Sequence, residues 1–322
     1  MYAFKKVTIA VMTVAALFSA QQTFAKTVKV TMTAMEVDVQ TNGKLVGGAD
    51  TMAAWTFDGS IPGKPVRVDE GDTVDFTLVN PATNKNSHAM DFHAAQVSVL
   101  DEFAPVKPGD SKHFTFEAKV PGVFMYHCGA SPMVQHIAKG MYGVIIVAPK
   151  GGYSKAYPKP DREYVLIQQQ YFPDTENVGA LLENSGWKGS LINGKVLHYD
   201  PVHDPKGDHD VLEAKPGERV RIYFVNANIN LPVALHPIAS IWDRVYISGN
   251  PKNTLYGIQT YNVAVAEADT FDLVTPINGK AATGIAIVDH AMGAALRGAI
   301  TVLVSKQDAD PAKGHGELIV LK

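Results

Sequence analysis

The sequence predicts an all-β protein of two tandem Greek-key β-sandwich domains. Three observations carry this. Short alternating apolar runs recur between Gly/Pro turns, the first half has no long helical period, and the second half echoes the first in the same order. At 322 residues with 46% hydrophobic and 19% charged side chains, the chain has ordinary core-forming content and room for two domains.

In chain order, Met1–Ala25 reads as a secretory signal. Lys5 and Lys6 form its positive region, Val7–Phe18 its apolar stretch and Thr23-Phe24-Ala25 a small-residue cleavage site. The apolar run is short for a membrane span, and an uncleaved N-terminal anchor is the alternative reading. Cleavage removes two lysines and no acid, which moves the net charge from −3 to −5. The export signal predicts a periplasmic location with no membrane span in the mature form, and the acidic balance offers no basic stripe for nucleic acid.

Residues 26–150 form the first predicted domain. Thr27–Val39 alternates, and Val66–Val68, Thr73–Asn80, Lys112–Phe116 and Val123–His127 follow as strands. The Pro/Gly/Lys-rich stretch 149–162 is the joint, residues 151–306 the second domain and residues 307–322 a C-terminal tail. Glu70–Asn80 lines up with Pro216–Asn226, and each reads as a tight turn followed by a strand ending in Asn. Pro121–Cys128 lines up with Thr283–His290, and Gly143–Val147 with Gly298–Val302. A fixed-order echo of this kind indicates duplication.

The stretch Tyr126–His136, followed by Met141, contains the only cysteine. One cysteine in an exported chain makes no internal disulfide, and a free thiol in an oxidising compartment needs a holder. Cys128, His136 and Met141 occur in the ligand order of a mononuclear blue-copper loop, because thiolate and thioether suit Cu(I) and imidazole serves both oxidation states. His88 supplies the second imidazole. The second half lacks this loop but keeps His290 where the first has Cys128, which points to a site shared between domains or between subunits.

On a strand, neighbours face opposite ways. His88 therefore goes with Cys128, and His93 with His127. Two imidazoles on the second face are half a metal site. A third from His290 completes a three-imidazole set with an open position, the arrangement of catalytic metals. The His127–Cys128 peptide then links two metals by a few covalent bonds. Asp91, beside His93, is a turn residue or a proton relay.

These residues resemble the copper-containing nitrite reductases, a family of periplasmic enzymes with two cupredoxin domains. The likeness covers essentially the whole mature chain. It rests on His88-Ala89-Met90-Asp91-Phe92-His93, Tyr126-His127-Cys128 with His136 and Met141, Leu235-His236-Pro237-Ile238, and Val288-Asp289-His290. The resemblance implies one type 1 copper on His88, Cys128, His136 and Met141. It implies one type 2 copper on His93 and His127, with His290 from a neighbouring subunit of a homotrimer. Asp91 and His236 would supply protons, and Ile238 would shape the substrate pocket. The implied reaction is one-electron reduction of nitrite to nitric oxide, with electrons delivered by a small cupredoxin or c-type cytochrome. An N–O bond breaks only when the departing oxygen is protonated, so a pair of acid groups makes chemical sense. The loop from Cys128 to His136 is shorter than in the best-known members and lacks their Trp, as in a shorter-loop branch. Residues 96–108 also lack the usual Gly-rich run.

Two other classes compete. A multicopper oxidase builds its cluster from paired His-x-His motifs, and this chain has none. A blue-copper electron carrier has no use for Asp91, His93, His127, His236 and His290. His198, His203 and His209 among Asp200, Asp204, Asp208 and Asp210 read as a solvated connection, and His113 as an edge or surface residue. His315 is uninformative; Leu318–Leu321 would pack against a neighbouring subunit.

Overall fold

The computed structural model describes residues 25–207, 209–277 and 283–310. The signal sequence up to residue 24, Asp208, His315 and the apolar end of the tail lie outside the described residues.

The chain is built of strands, as the alternation predicts. The first half contains β1 (Thr27–Gln40), β2 (Thr51–Phe57), β3 (Val66–Asp69), β4 (Thr73–Val79), β5 (Asp91–Phe92), β6 (Ser111–Glu117), β7 (Gly122–His127), α1 (Met133–Ala138) and β8 (Tyr142–Ala148). One sheet has the order β2-β1-β4-β6, the other β3-β8-β7-β5. β1 and β4 pair in parallel, as do β3 and β8, so sequence neighbours cross between sheets in the Greek-key manner.

The second half contains β9 (Arg162–Tyr171), α2 (Val178–Leu182), β10 (Gly189–Ile192), β11 (Lys195–Val196), β12 (Leu212–Ala214), β13 (Arg219–Asn226), β14 (Val233–Ile238), β15 (Trp242–Tyr246), β16 (Thr254–Ile258), β17 (Tyr261–Val263), β18 (Ala268–Val274), β19 (Thr283–Asp289), α3 (Met292–Ala295) and β20 (Ile300–Ser305). Its sheets run β11-β10-β9-β13-β18-β15-β16 and β12-β20-β19-β14-β17. The duplication read in the sequence is therefore spatial. β4 and β13 each pair in parallel with the first strand of their half, and β3-β8-β7-β5 is matched by β12-β20-β19-β14.

Each sandwich closes over its own core. Phe57, Phe76, Phe92, Phe114, Phe116 and Tyr126 fill the first, and Leu166, Phe224, Trp242 and Phe271 the second. Burying one such ring is worth roughly 2–3 kcal/mol. A third apolar cluster joins Met52, Val123, Met125 and Tyr142 of the first half to Tyr171, Tyr223 and Val225 of the second. β7, which ends at His127, is thus packed on both sides. Gly143 on β8 is needed there, because a Cβ would lie 2.2 Å from Cζ of Tyr126. Tyr126 uses the space to donate its hydroxyl to the Lys64 carbonyl at 2.6 Å.

The strand reading of residues 88–93 needs a correction. Only Asp91–Phe92 is a strand, and His88 is held by an isolated bridge to Val106. The opposed directions of His88 and His93 come from this loop geometry and not from a continuous pleat.

Candidate metal centres

Asn80 explains why both aligned strands end in asparagine. Its buried side chain donates to the carbonyls of Asn86 and Val106, each at 2.9 Å, and so clamps the loop that presents His88. Asn226 plays a like part in the second half, donating to the carbonyls of Leu231 ahead of β14 and of Val263 and Ala264 at the end of β17.

Two clusters able to hold a metal stand on either side of the His127–Cys128 peptide. In the first, His88, Cys128 and His136 are all buried and their ligand atoms lie within 4.8 Å of one another. The two Nδ1 atoms are 3.3 Å apart, and Sγ of Cys128 is 3.2 Å from Nδ1 of His136. The amide of Ala89 donates to Sγ at 3.2 Å. His136 comes from α1, too short a helix to show a period in the sequence. Met141 is buried in the same core, and its carbonyl accepts the Cys128 amide at 3.0 Å.

The electrostatics suit a cation. Burial pushes the Cys128 thiol up to about 11, against the pull of the Ala89 and Ala130 amides. Burial, with the neighbouring His88, drops His136 to about 4. Burial also lowers His88. The imidazoles are therefore neutral with lone pairs available, and the thiol gives up its proton only to a bound cation. A buried thiolate and two imidazoles form a soft donor set, which fits copper.

In the second cluster, Asp91, His93 and His127 bring their ligand atoms within 4.8 Å of one another. The two Nε2 atoms are 3.1 Å apart. Nδ1 of His127 donates to the Cys128 carbonyl at 3.0 Å, which leaves its Nε2 as an acceptor. The Ala266 backbone lies against the His93 ring, so the second half of the chain borders this cluster. Two facing acceptors at this distance fit a cation between them. Oδ2 of Asp91 lies 3.8 Å from Nε2 of His127, and its side chain is partly open to solvent.

His290 joins neither cluster among the described residues. It stands exposed just past β19, at the corner matching Cys128, with its ring 5.4 Å from that of His236. Asp289 fixes this corner by accepting the amides of Ala234 and Ala291 at 3.1 Å and the Gln168 side chain at 3.0 Å. Nδ1 of His236 donates to the Gln259 carbonyl at 2.6 Å, with the Thr260 hydroxyl at 3.2 Å. Its Nε2 is thereby the acceptor. Ile238, two residues on, is exposed. His236, Ile238 and His290 thus share one surface and lie outside the His93–His127 cluster, of which His127 is buried and His93 exposed.

Three features were missed in the sequence: Glu36 and Trp55 beside the first cluster, and Asp289 behind His290. Only Asp289 left a signal, as the neighbour of a candidate ligand. The aspartate-rich loop holds no metal-type cluster among the described residues; Asp200 takes His203 at 2.7 Å. His113 is exposed and meets Asp75 at 2.5 Å.

A family model described as multicopper oxidase matches residues 38–152. The chain is 53% identical to a solved copper nitrite reductase from Nitrosomonas europaea, over 92% of this chain and 100% of that one, with a TM-score of 0.84. It is 37% identical over 198 residues to the copper-containing nitrite reductase of Neisseria gonorrhoeae, covering 61% of this chain and 49% of the relative. The chain thus spans about half the length of the curated relatives it matches first. A solved multicopper oxidase is 22% identical with a TM-score of 0.72, over 87% of this chain and 89% of that one, a likeness of fold. Among the described residues, no helix is long and apolar enough to cross a membrane.

Proposed function

The chain belongs to the copper-containing nitrite reductase family, and on that premise we propose that it reduces nitrite to nitric oxide. The observation that carries the reading is the pair of clusters separated by the His127–Cys128 peptide. His88, Cys128 and His136, with Met141 following, are the type 1 ligands. His93 and His127 are two type 2 ligands. His290 is the third, given by a neighbouring copy, because it is exposed and joins neither cluster of its own chain. A homotrimer closes such a head-to-tail contact on itself.

The bound coppers would supply one electron at a time and hold the anion. The chain does the rest. Nitrite takes up one electron and two protons and leaves as nitric oxide and water. Asp91 stands over His127 with a solvent-reachable carboxylate, placed to pass a proton to the departing oxygen. His236, anchored through Nδ1, presents Nε2 for the second. Ile238 supplies an apolar wall beside it. The covalent link from Cys128 to His127 joins the two ligand sets.

With this reading go the remaining assignments. Residues 26–150 carry the type 1 ligands and two type 2 ligands, residues 151–306 the third, and residues 307–322 form a tail. The signal sequence sends the chain to the periplasm, where a small cupredoxin or c-type cytochrome delivers electrons. Copper analysis with electron spin resonance on the purified protein tests the whole, alongside nitric oxide release from nitrite. Two coppers per chain, one of each signal, and nitrite turnover are expected. One copper with no turnover indicates a carrier, and oxygen uptake without nitrite reduction an oxidase; either refutes the proposal.

A further inference from the structure

Glu36 and Trp55 are directly paired across β1 and β2, and both reach imidazoles of the first cluster. The Trp55 ring lies 4.6 Å from that of His136, with the Lys139 ammonium 4.9 Å above the indole. Oε1 of Glu36 lies 3.4 Å from Nε2 of His88. The same indole is 5.6 Å from the His88 ring, so one rung of one sheet sets a carboxylate against His88 and an indole bearing a cation against both imidazoles.

The carboxylate is held firmly. Oε1 also accepts the amides of Lys85 and Asn86, at 3.0 and 2.9 Å, and the Asn86 side chain at 3.1 Å. Three N–H donors converging on one carboxyl oxygen hold it as an acceptor, the role of the ionised form. A carboxylate only accepts, so the Nε2 of His88 must carry the hydrogen. Nδ1 is then the bare nitrogen, and it is Nδ1 that faces His136 and Cys128.

We propose that Glu36 is a positioning residue of the type 1 centre: it fixes the His88 tautomer and holds the copper at a lower reduction potential than its ligands alone would. The inference rests on the type 1 assignment made above. The second effect follows from charge. Cu(II) carries one more positive charge than Cu(I), so a buried anion on a ligand ring favours the oxidised form. Carboxylate–histidine–metal chains act in this way, and they also orient the ligand.

The test is Glu36→Gln in the copper-loaded protein. Glutamine keeps an acceptor oxygen and removes the charge. The thiolate-to-copper band should remain, while at a fixed applied potential the ratio of reduced to oxidised type 1 copper should rise by on the order of 10- to 100-fold, the scale of one charge roughly 6 to 12 Å away at an effective dielectric near 20. Glu36→Ala, which also removes the hydrogen bond, should weaken copper binding by on the order of 10- to 100-fold. A ratio unchanged in Glu36→Gln overturns the proposal. Nitrogen-15 spectra of the copper(I) wild type give an answer that needs no variant: hydrogen on Nδ1 of His88 also overturns it. Absence of the band from copper-loaded wild type would instead sink the type 1 assignment itself.

Discussion

His127 and Cys128 share a peptide bond and point into different clusters, the first 3.1 Å from His93 and the second 3.2 Å from His136. Replacing Cys128 with Ser should abolish the visible thiolate-to-copper absorption and leave the type 2 resonance in place. The hydroxyl of serine is too hard and too weak an acid to replace a thiolate. A surviving visible band would mean that the chromophore is elsewhere.

His290 has no second imidazole of its own cluster to join, only His236 at 5.4 Å between rings. For His290→Ala, copper content should fall from two to one per chain and nitrite turnover should cease. The fold should persist, because the replaced side chain is exposed and Asp289 still pins the corner. Mixing this variant with one lacking His93 and His127 should restore some turnover, since mixed oligomers regain intact sites. No recovery from the mixture would count against ligands drawn from two chains.

Strand alternation made most of the first sandwich legible: β1, β4, β6 and β7 lie within a residue of their expected bounds. The pairing of His88 with Cys128 and of His93 with His127 was also legible, although a pleat was the wrong reason. The Val106 bridge and the Asn80 clamp turn His88 inward, and both depend on contacts distant in sequence. The Glu36–Trp55 rung was hidden for a different cause. Alternation tells which side of a strand a residue takes, not which loop will be laid against it. α1 spans fewer than two full turns, below what a helical period can reveal. The partner we propose for His290 belongs to an assembly, which the residues of one chain do not encode locally.

Asp91 is placed to hand on a proton without binding structure together, since its side chain is partly open and makes only the 3.8 Å approach to His127. Asp91→Asn should retain both coppers, and turnover at neutral pH should fall by on the order of 10²-fold or more, the scale of general acid catalysis. The acid-side limb of the pH–rate profile should also change shape. An unaltered profile at a reduced rate would assign the loss to packing and remove the proton role.

Asp269 lies buried on β18, where one carboxylate oxygen accepts the Ser248 amide at 2.7 Å and the other has no partner. Burial, with the charge of Glu267, raises its pKa from 3.8 to about 7. The folded chain therefore keeps a proton that the unfolded chain has already lost. Stability from this group is full below about pH 4 and is lost as pH climbs towards 7. Between pH 5 and 8 the loss should be on the order of 2 kcal/mol. Asn at this position still accepts from Ser248 and cannot ionise. Guanidinium midpoints at the two pH values should therefore fall less with rising pH in Asp269→Asn than in the wild type. Equal falls in both chains would show that Asp269 ionises normally inside the fold. Asp269 also stands behind the ligand-bearing strand, because the Ser248 carbonyl abuts Gly122, where a Cβ would sit 2.3 Å away, and Gly122 begins the strand that ends at His127.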